Sequence, residues 1–190
     1  AVKGIRNQNE LAQESSEIAD FWSMLQGFQT SGKCIEKAHY RIRYMKSFRP
    51  LSVKEDIEFK EARPILYLNT AAVASLFSSR NAGSTSNRSN WSTIMSYLKS
   101  HASYLGLKQD RFTILLPSGL PDYTIDIVNG EQVKKVKVNR PKALCFDYLQ
   151  LKETFELDLE TEVVAEVQDM QEEVITEMQH TFKQNEFDFT

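Results

Sequence analysis

The chain has 190 residues, of which 41% are hydrophobic, so it can bury the core of one domain or of two small ones. It contains no run of about 18 apolar residues and no signal-peptide pattern, so we expect a cytoplasmic protein without a membrane-spanning helix. Its net charge of −3 is unevenly distributed, because residues 1–152 carry 22 basic and 14 acidic residues whereas residues 153–190 carry one basic and 12 acidic residues.

The uneven charge predicts either a body that binds polyanions or an acidic tail that makes its own contacts; the simpler alternative is a solvated tail helix. Cys34 and Cys145 lie far apart in the sequence, which favours two free core thiols in a reducing compartment. Because the first residue is not Met, we expect a fragment of a longer chain.

In the amino-terminal part, apolar residues recur at helical spacing over residues 8–28, which predicts an amphipathic helix that ends at the TSG of 30–32. Alternation of apolar and polar residues predicts strands at 37–46 and 56–60, and PILYL at 64–68 is a third candidate strand. A short helix follows, capped by Asn69 or Thr70, with three apolar residues facing the core: Val73, Leu76 and Phe77.

The middle of the chain predicts a flexible loop at 81–89 and then a helix at 91–106, with Asn90 as its N-cap and Gly106 as its C-cap. The inward stripe of this helix is apolar, whereas its other face carries hydroxyl groups and Lys99. The apolar stripe comprises Trp91, Ile94, Met95, Leu98, Ala102 and Leu105.

Further along, residues 111–116 predict a strand, and Asn129-Gly130 between 123–128 and 131–138 is a strong β-hairpin signal. Residues 143–155 predict a strand that continues into a helix. Apolar residues at helical spacing over 157–184 then predict one long acidic helix, which packs on the body or pairs with another copy.

One segment, GFQTSGKC at 27–34, comes within one residue of a phosphate-binding loop. Such a loop needs a strand before it and a helix after it, whereas here the predicted order is reversed. Cys34 also replaces the Ser or Thr that would bind Mg²⁺. We therefore predict that Gly32 ends a helix and that Lys33 does not bind ATP.

The sequence predicts no metal site and no catalytic residues. His39, His101 and His180 are scattered, and the two cysteines form no metal-binding motif. We therefore expect a non-enzymatic segment that needs no cofactor.

A basic face on the predicted strand 37–46 has two interpretations. It contains Lys37, His39, Arg41 and Arg43, which resemble a nucleic-acid stripe. We favour a structural interpretation in which Arg41 and Arg43 face Asp56 and Glu58 across paired strands.

The predicted hairpin is the stronger candidate for DNA contact, because lysines crowd its second strand and nearby acidic residues are fewer. A helix, a loop, a second helix and a basic hairpin form the order of a winged helix, although the loop is long for a tight helix-turn-helix. The exposed hydroxyl groups and lysine of the second helix suit phosphates better than bases, so we expect weak sequence preference. The predicted DNA-binding residues are Arg88, Asn90, Lys99, Lys134, Lys135, Lys137, Arg140 and Lys142.

The last residues, QNEFDFT, contain a candidate partner-binding peptide. Gln184, Phe187 and Phe189 resemble the peptide by which replication proteins bind a bacterial sliding clamp. Exposed aromatic residues at an acidic terminus favour a binding role.

Four segments of the chain resemble the C-terminal region of primase–helicase proteins of phages and bacterial mobile elements. They are EIADFW at 17–22, RPILYLNTAAVASLF at 63–77, WSTIMSYLKSHASYLG at 91–106 and ALCFDYLQL at 143–151. The resemblance implies a winged-helix-like domain that follows an ATPase motor, and it carries over no catalytic residue.

The sequence as a whole predicts an α+β fold with a winged-helix-like core. We expect an N-terminal helix with a small antiparallel sheet at 1–68, a winged-helix-like domain at 69–156 and an acidic helical tail at 157–190. The predicted function is a non-catalytic DNA-binding or assembly module of a replication primase–helicase. It has DNA and possible replication proteins as partners, and the C-terminal helix is a possible site of homo-oligomerisation. The alternatives are a protein-interaction module and, more distantly, a nucleotide-binding enzyme.

Overall fold

Four helices and eight strands make up the computed structural model, which describes residues 2–81, 90–128 and 131–159. The elements, in chain order, are α1 (Val2–Thr30), β1 (Tyr40–Phe48), β2 (Ile57–Asn69), α2 (Thr70–Asn81), α3 (Trp91–Ser100), β3 (Tyr104–Gln109), β4 (Phe112–Thr113), β5 (Tyr123–Val128), β6 (Glu131–Val136), β7 (Val138–Asn139), β8 (Lys142–Asp147) and α4 (Tyr148–Phe155). The described residues belong to one compact unit that spans residues 1–159. The α+β class predicted from the sequence is confirmed.

A four-stranded antiparallel sheet organises this unit, in the order β1-β2-β8-β3. In the pairing of β2 with β8, Leu66 lies opposite Phe146. This pairing joins a strand of the predicted segment 1–68 to a strand of the predicted domain 69–156. Two smaller pairs, β4–β7 and β5–β6, complete the strand set of the described residues.

Both faces of the central strands are buried, which explains their nearly continuous apolar sequences. On one face, Leu66 and Phe146 join the main core with residues of the helices, including Trp22 of α1. The Trp22 and Phe146 rings meet edge to face at 5.2 Å between centroids. On the other face, Tyr67 and Cys145 belong to a smaller cluster. The two predicted free thiols, of Cys34 and Cys145, are both buried.

The strand β2 corrects the prediction of separate strands at 56–60 and 64–68. It runs without interruption through Pro64, whose missing N–H group is tolerated because the pairing with β8 begins only at Ile65. The predicted cap of α2 is present, since Asn69 Oδ1 accepts from the Ala72 N–H group at 3.4 Å.

The helix α3 is shorter than predicted, because residues 104–109 form β3 instead of its last turns. Apolar residues keep helical spacing as far as Leu105. The segment pairs with β8 instead, and this pairing satisfies its backbone hydrogen-bonding groups. The helix ends at Ser100 with His101 as its C-cap, and Gly106 lies at a bulge within β3.

Two other boundaries differ from the sequence-based expectation. The strand predicted at 111–116 is only the two residues of β4. Residues 157–159, expected to begin the tail helix, are not helical. Instead, Leu157 and Leu159 are buried, and the Leu159 N–H group donates to the Tyr148 hydroxyl at 2.7 Å. The remainder of that predicted helix, residues 160–184, lies outside the described residues.

Candidate nucleic-acid interface

The segment GFQTSGKC forms the end of a helix. Gly32 has a φ of +72°, and the N–H groups of Lys33 and Cys34 both donate to the Phe28 carbonyl, at 2.8 and 2.9 Å. The Gly32 N–H group donates to the Gln29 carbonyl at 2.9 Å. The prediction that Gly32 ends the helix is confirmed. Because these amides close the end of α1, they do not form the cradle of free N–H groups that phosphates require.

The strands β5 and β6 form the predicted hairpin, in which Val128 pairs with Glu131 and Tyr123 with Val136. All residues of both strands are exposed. Directly paired residues of an antiparallel ribbon share a face, so this register divides the hairpin into two different surfaces.

We call the first surface the isoleucine face. It consists of Tyr123, Ile125, Ile127, Gln132, Lys134 and Val136. No carboxylate belongs to it, and the Lys134 Nζ atom lies 4.1 Å from the centroid of the Tyr123 ring. A cation over an aromatic ring in this way remains available to an anionic partner.

The opposite surface, which we call the paired face, carries two acidic residues and one lysine. It consists of Thr124, Asp126, Val128, Glu131, Val133 and Lys135. Lys135 Nζ contacts Asp126 Oδ2 at 2.7 Å, and this bond lowers the pKa of the Asp126 carboxyl group. Just beyond the paired strands, Lys137 Nζ contacts Asp122 Oδ2 at 2.9 Å.

The predicted DNA-binding lysines are therefore not equivalent. Lys135 and Lys137 are neutralised by neighbouring acids, although exposed pairs of this kind contribute only about 0–1 kcal/mol and can exchange partners. Lys134, Arg140 and Lys142 have no ion pair with any residue in the described part of the chain, and all three side chains are exposed. These three, like Lys99 on α3, are exposed cations that can contact phosphates.

On α3, the structure supports the predicted cap and modifies the predicted role of Asn90. Its Oδ1 atom accepts from the Thr93 N–H group at 2.9 Å and from the hydroxyl groups of Ser92 and Thr93, at 2.6 and 3.1 Å. This oxygen is thus committed to the cap, which leaves the amide nitrogen for other contacts. Lys99 is exposed in the last turn, and Ser100 donates to the Glu14 carboxylate of α1.

The basic strand β1 has a structural role, as predicted, but its acidic partners were predicted wrongly. Arg43 donates two hydrogen bonds, both of 2.9 Å, to Asp110. Arg41 donates to the Arg111 carbonyl at 2.9 Å. Opposite them in the β1–β2 register lie Ile65 and Tyr67, because Asp56 and Glu58 fall further along the ribbon.

A further feature, which the sequence did not reveal, is a cavity of about 380 Å³ between the start of α2 and the β4–β7 pair. Its mainly apolar walls come from several distant segments and include His39, Asn69, Leu76, Thr113, Leu115 and Pro141. No local motif marks such a site, so only the folded chain shows it.

Two polar side chains of this cavity, those of His39 and Asn69, are hydrogen-bonded to the backbone. His39 Nδ1 accepts from the Ile35 N–H group at 3.0 Å, and burial lowers the pKa of this histidine. The Asn69 amide donates to the Ala38 carbonyl at 2.9 Å. The residues that line the cavity include no carboxylate or thiol to act beside the histidine, so they form no catalytic set.

Several predicted site residues lie outside the described residues: Arg88, Gln184, Phe187 and Phe189. Within residues 2–81, 90–128 and 131–159, no group of three His, Cys, Asp or Glu side chains could hold a metal ion. In the same ranges, no helix is long and apolar enough to cross a bilayer.

Among the predicted residues that are described, Lys134 and Lys135 lie on opposite faces of the hairpin and Lys137 lies just beyond β6. Lys99 lies on α3, a helix that packs against α1, α2 and β3, whereas β5 and β6 contact mainly each other. Comparison of the chain with protein-family models, curated proteins and solved structures finds no match.

Proposed function

We propose that this chain is a non-catalytic DNA-binding module that contacts the duplex backbone through the β5–β6 hairpin and the exposed side of α3. The observation that carries the proposal is the isoleucine face, which presents Lys134 without any carboxylate. Arg140, just after β7, and Lys142, at the start of β8, add two exposed cations.

The order of elements supports a winged-helix arrangement. The helices α2 and α3 lie between β2 and β3, and the hairpin lies between β3 and β8, the strands that pair in the main sheet. In a winged helix the second helix enters the major groove and the hairpin contacts the backbone. In this proposal, α3 and the β5–β6 hairpin take those roles.

The chemistry of α3 favours contact with phosphates rather than with bases. Among its exposed residues, Ser96 and Lys99 carry hydroxyl and ammonium groups that suit phosphate oxygens. The hydroxyl groups of Ser92 and Ser100 already donate to Asn90 and Glu14. The side chains that give bidentate base contacts, Arg, Asn and Gln, are absent from Trp91–Ser100. We therefore propose binding with weak sequence preference.

The wider setting of the proposal rests on the sequence resemblance. A module of this kind would belong to a cytoplasmic replication primase–helicase and would act beside an ATPase motor. The terminal residues Gln184, Phe187 and Phe189 would then engage a replication partner such as a sliding clamp. The acidic segment that follows Leu159 would be a site of contact between copies.

The test is a titration of fluorescently labelled duplexes of several sequences with the intact chain. Changing Lys134, Arg140 and Lys142 together to Ala should weaken binding about tenfold or more at low salt, and equally for all sequences. The matched control changes Lys46, Lys54 and Lys60, three exposed lysines of the β1–β2 ribbon, to Ala and removes the same charge. Equal loss in both variants would show non-specific charge attraction and contradict the assigned interface.

A second candidate function is a protein-interaction module. It is favoured by the large apolar side chains that stay exposed around the hairpin, among them Leu120, Ile125 and Val138. Absence of duplex binding by the intact chain even at low salt would favour this candidate over DNA binding.

A further inference from the structure

Among the residues whose side-chain exposure the structure describes, Ile125 and Ile127 are the most exposed large apolar ones, at 68% and 71% of their maximal surface. Both lie on the isoleucine face of a hairpin that contacts mainly itself. Neither side chain stabilises the core, and water solvates both unfavourably. A pair of such residues on one face of a projecting ribbon therefore indicates a surface that is covered by a partner.

The charges around the two isoleucines indicate which partner this is. The acids of the hairpin, Asp126 and Glu131, lie on the paired face, as does Lys135, which binds Asp126. The isoleucine face has Lys134 beside Ile125, since these residues are direct partners in the register. This face is thus apolar and positively charged, and it carries no negative group. It is complementary to a partner whose apolar surfaces lie between rows of negatively charged groups.

Duplex DNA has that chemistry, with stacked bases between two phosphate backbones. Two-stranded β-ribbons bind in DNA grooves, and proteins that bind the minor groove insert apolar side chains, including Ile, between base pairs. Six paired residues per strand make the ribbon about 20 Å long, enough to reach across a groove from one backbone to the other.

We propose that the isoleucine face enters the minor groove of duplex DNA, where Ile125 and Ile127 act as a wedge that partly unstacks base pairs and bends the duplex. Lys134, Arg140 and Lys142 hold the flanking phosphates. This proposal rests on the proposed DNA-binding function and adds a mode of contact to it. Because pyrimidine–purine steps unstack most easily, the wedge prefers duplexes that contain TA steps.

The test uses the intact chain and a short duplex with a central TA step, labelled at both ends for energy transfer. Binding of the natural chain should shorten the end-to-end distance. Changing Ile125 and Ile127 together to Ser should abolish the bend and weaken binding to this duplex about tenfold, since an apolar wedge is lost. The salt dependence of binding should stay unchanged, because no charge is removed.

The paired face offers a matched control, because Val128 and Val133 are also exposed, at 40% and 38%, on the same two strands. Changing both to Ser removes apolar surface from the hairpin without touching the isoleucine face. The control variant should keep the bend and the preference for TA steps. Circular dichroism spectra and melting temperatures equal to those of the natural chain show that both variants remain folded.

The possible failures of this proposal differ from the failure of DNA binding itself. If the Ile125/Ile127 variant bends DNA as the natural chain does, the proposed wedge is contradicted. That result would not contradict DNA binding through the lysines. If light scattering shows that the same variant loses self-association while its DNA binding is unchanged, the face joins copies of the chain and the proposal is overturned. Loss of the bend in the paired-face control would equally contradict a role specific to Ile125 and Ile127.

Discussion

Gly106 lies directly against Pro50, which occupies the space that any side chain at position 106 would need. A Cβ atom at this position would lie 2.7 Å from Pro50 Cβ and 3.1 Å from Pro50 Cγ. Gly106 also has a φ of +132°, a backbone conformation that favours glycine. The glycine therefore lets the bulged strand β3 approach the turn after β1, next to the hydrogen bond from Leu51 N–H to the Leu107 carbonyl at 2.8 Å.

This contact predicts that Gly106→Ala destabilises the fold by about 1–3 kcal/mol, since it combines backbone strain with a clash. The matched control is Gly27→Ala in α1, where an added Cβ meets nothing within 4 Å. The control should stabilise the chain by up to about 1 kcal/mol. Urea unfolding followed by tryptophan fluorescence measures both, and an unaffected Gly106→Ala variant would contradict the close approach to Pro50.

Stability should fall as the pH falls from about 7.5 to 5.5. Burial lowers the pKa of His39 and of His101 below the ordinary value of 6.5, so the unfolded chain takes up protons in this range more readily than the folded chain. Proton uptake by the unfolded state favours unfolding. Arg49 and Lys135 lower the pKa values of the Asp56 and Asp126 carboxyl groups, so these groups change the stability of the fold only at lower pH.

Melting temperatures at several pH values measure this effect. His39→Asn keeps an acceptor for the Ile35 N–H group but does not titrate, so its melting temperature should depend less on pH. Changing His101 to Asn as well should remove most of the remaining dependence between pH 5.5 and 7.5. A double variant with the full pH dependence of the natural chain would show that other groups are responsible.

Asn90→Ala should destabilise the chain by about 0.5–2 kcal/mol, because it removes the cap of α3. Asn90→Ser keeps an accepting oxygen without adding a charge but lacks the amide nitrogen, so it should preserve stability. If that nitrogen contacts DNA, Asn90→Ser should weaken binding without lowering the melting temperature. Equal stability of the Ala and Ser variants would exclude the capping role.

Lys33 should not bind ATP, since the N–H groups around it already close α1. Calorimetry with Mg-ATP should detect no binding to the intact chain, and Lys33→Ala should leave its DNA binding nearly unchanged. Saturable micromolar binding that is lost in Lys33→Ala would contradict this assignment.

The features that the sequence predicts well are those encoded by local chemistry. Gly32 ends α1, Asn90 caps α3, and the pairing of Val128 with Glu131 agrees with the hairpin signal of Asn129-Gly130 in the sequence. The two faces of the hairpin could also have been predicted from the sequence, because that register fixes which side chains share a face. It places Lys134 and Lys135 on opposite faces.

The features that the sequence did not predict depend on contacts between distant residues. Arg43 and Asp110 are 67 positions apart, and no local pattern connects them. The segment after Ser100 has helical spacing, but pairing with β8 outweighs that preference. The cavity beside α2 combines side chains from several strands and one helix, so its existence follows only from the complete fold.

The salt dependence of duplex binding tests the central claim most directly. With about four or five phosphates neutralised, a plot of log affinity against log salt should have a slope of about −4, and the Kd near physiological salt should be on the order of 10⁻⁴ to 10⁻⁶ M. Changing Lys134, Arg140 and Lys142 together to Ala should make this slope shallower by up to about three units. A slope that is unchanged in this variant, or an intact chain that binds no duplex even at low salt, would contradict the account.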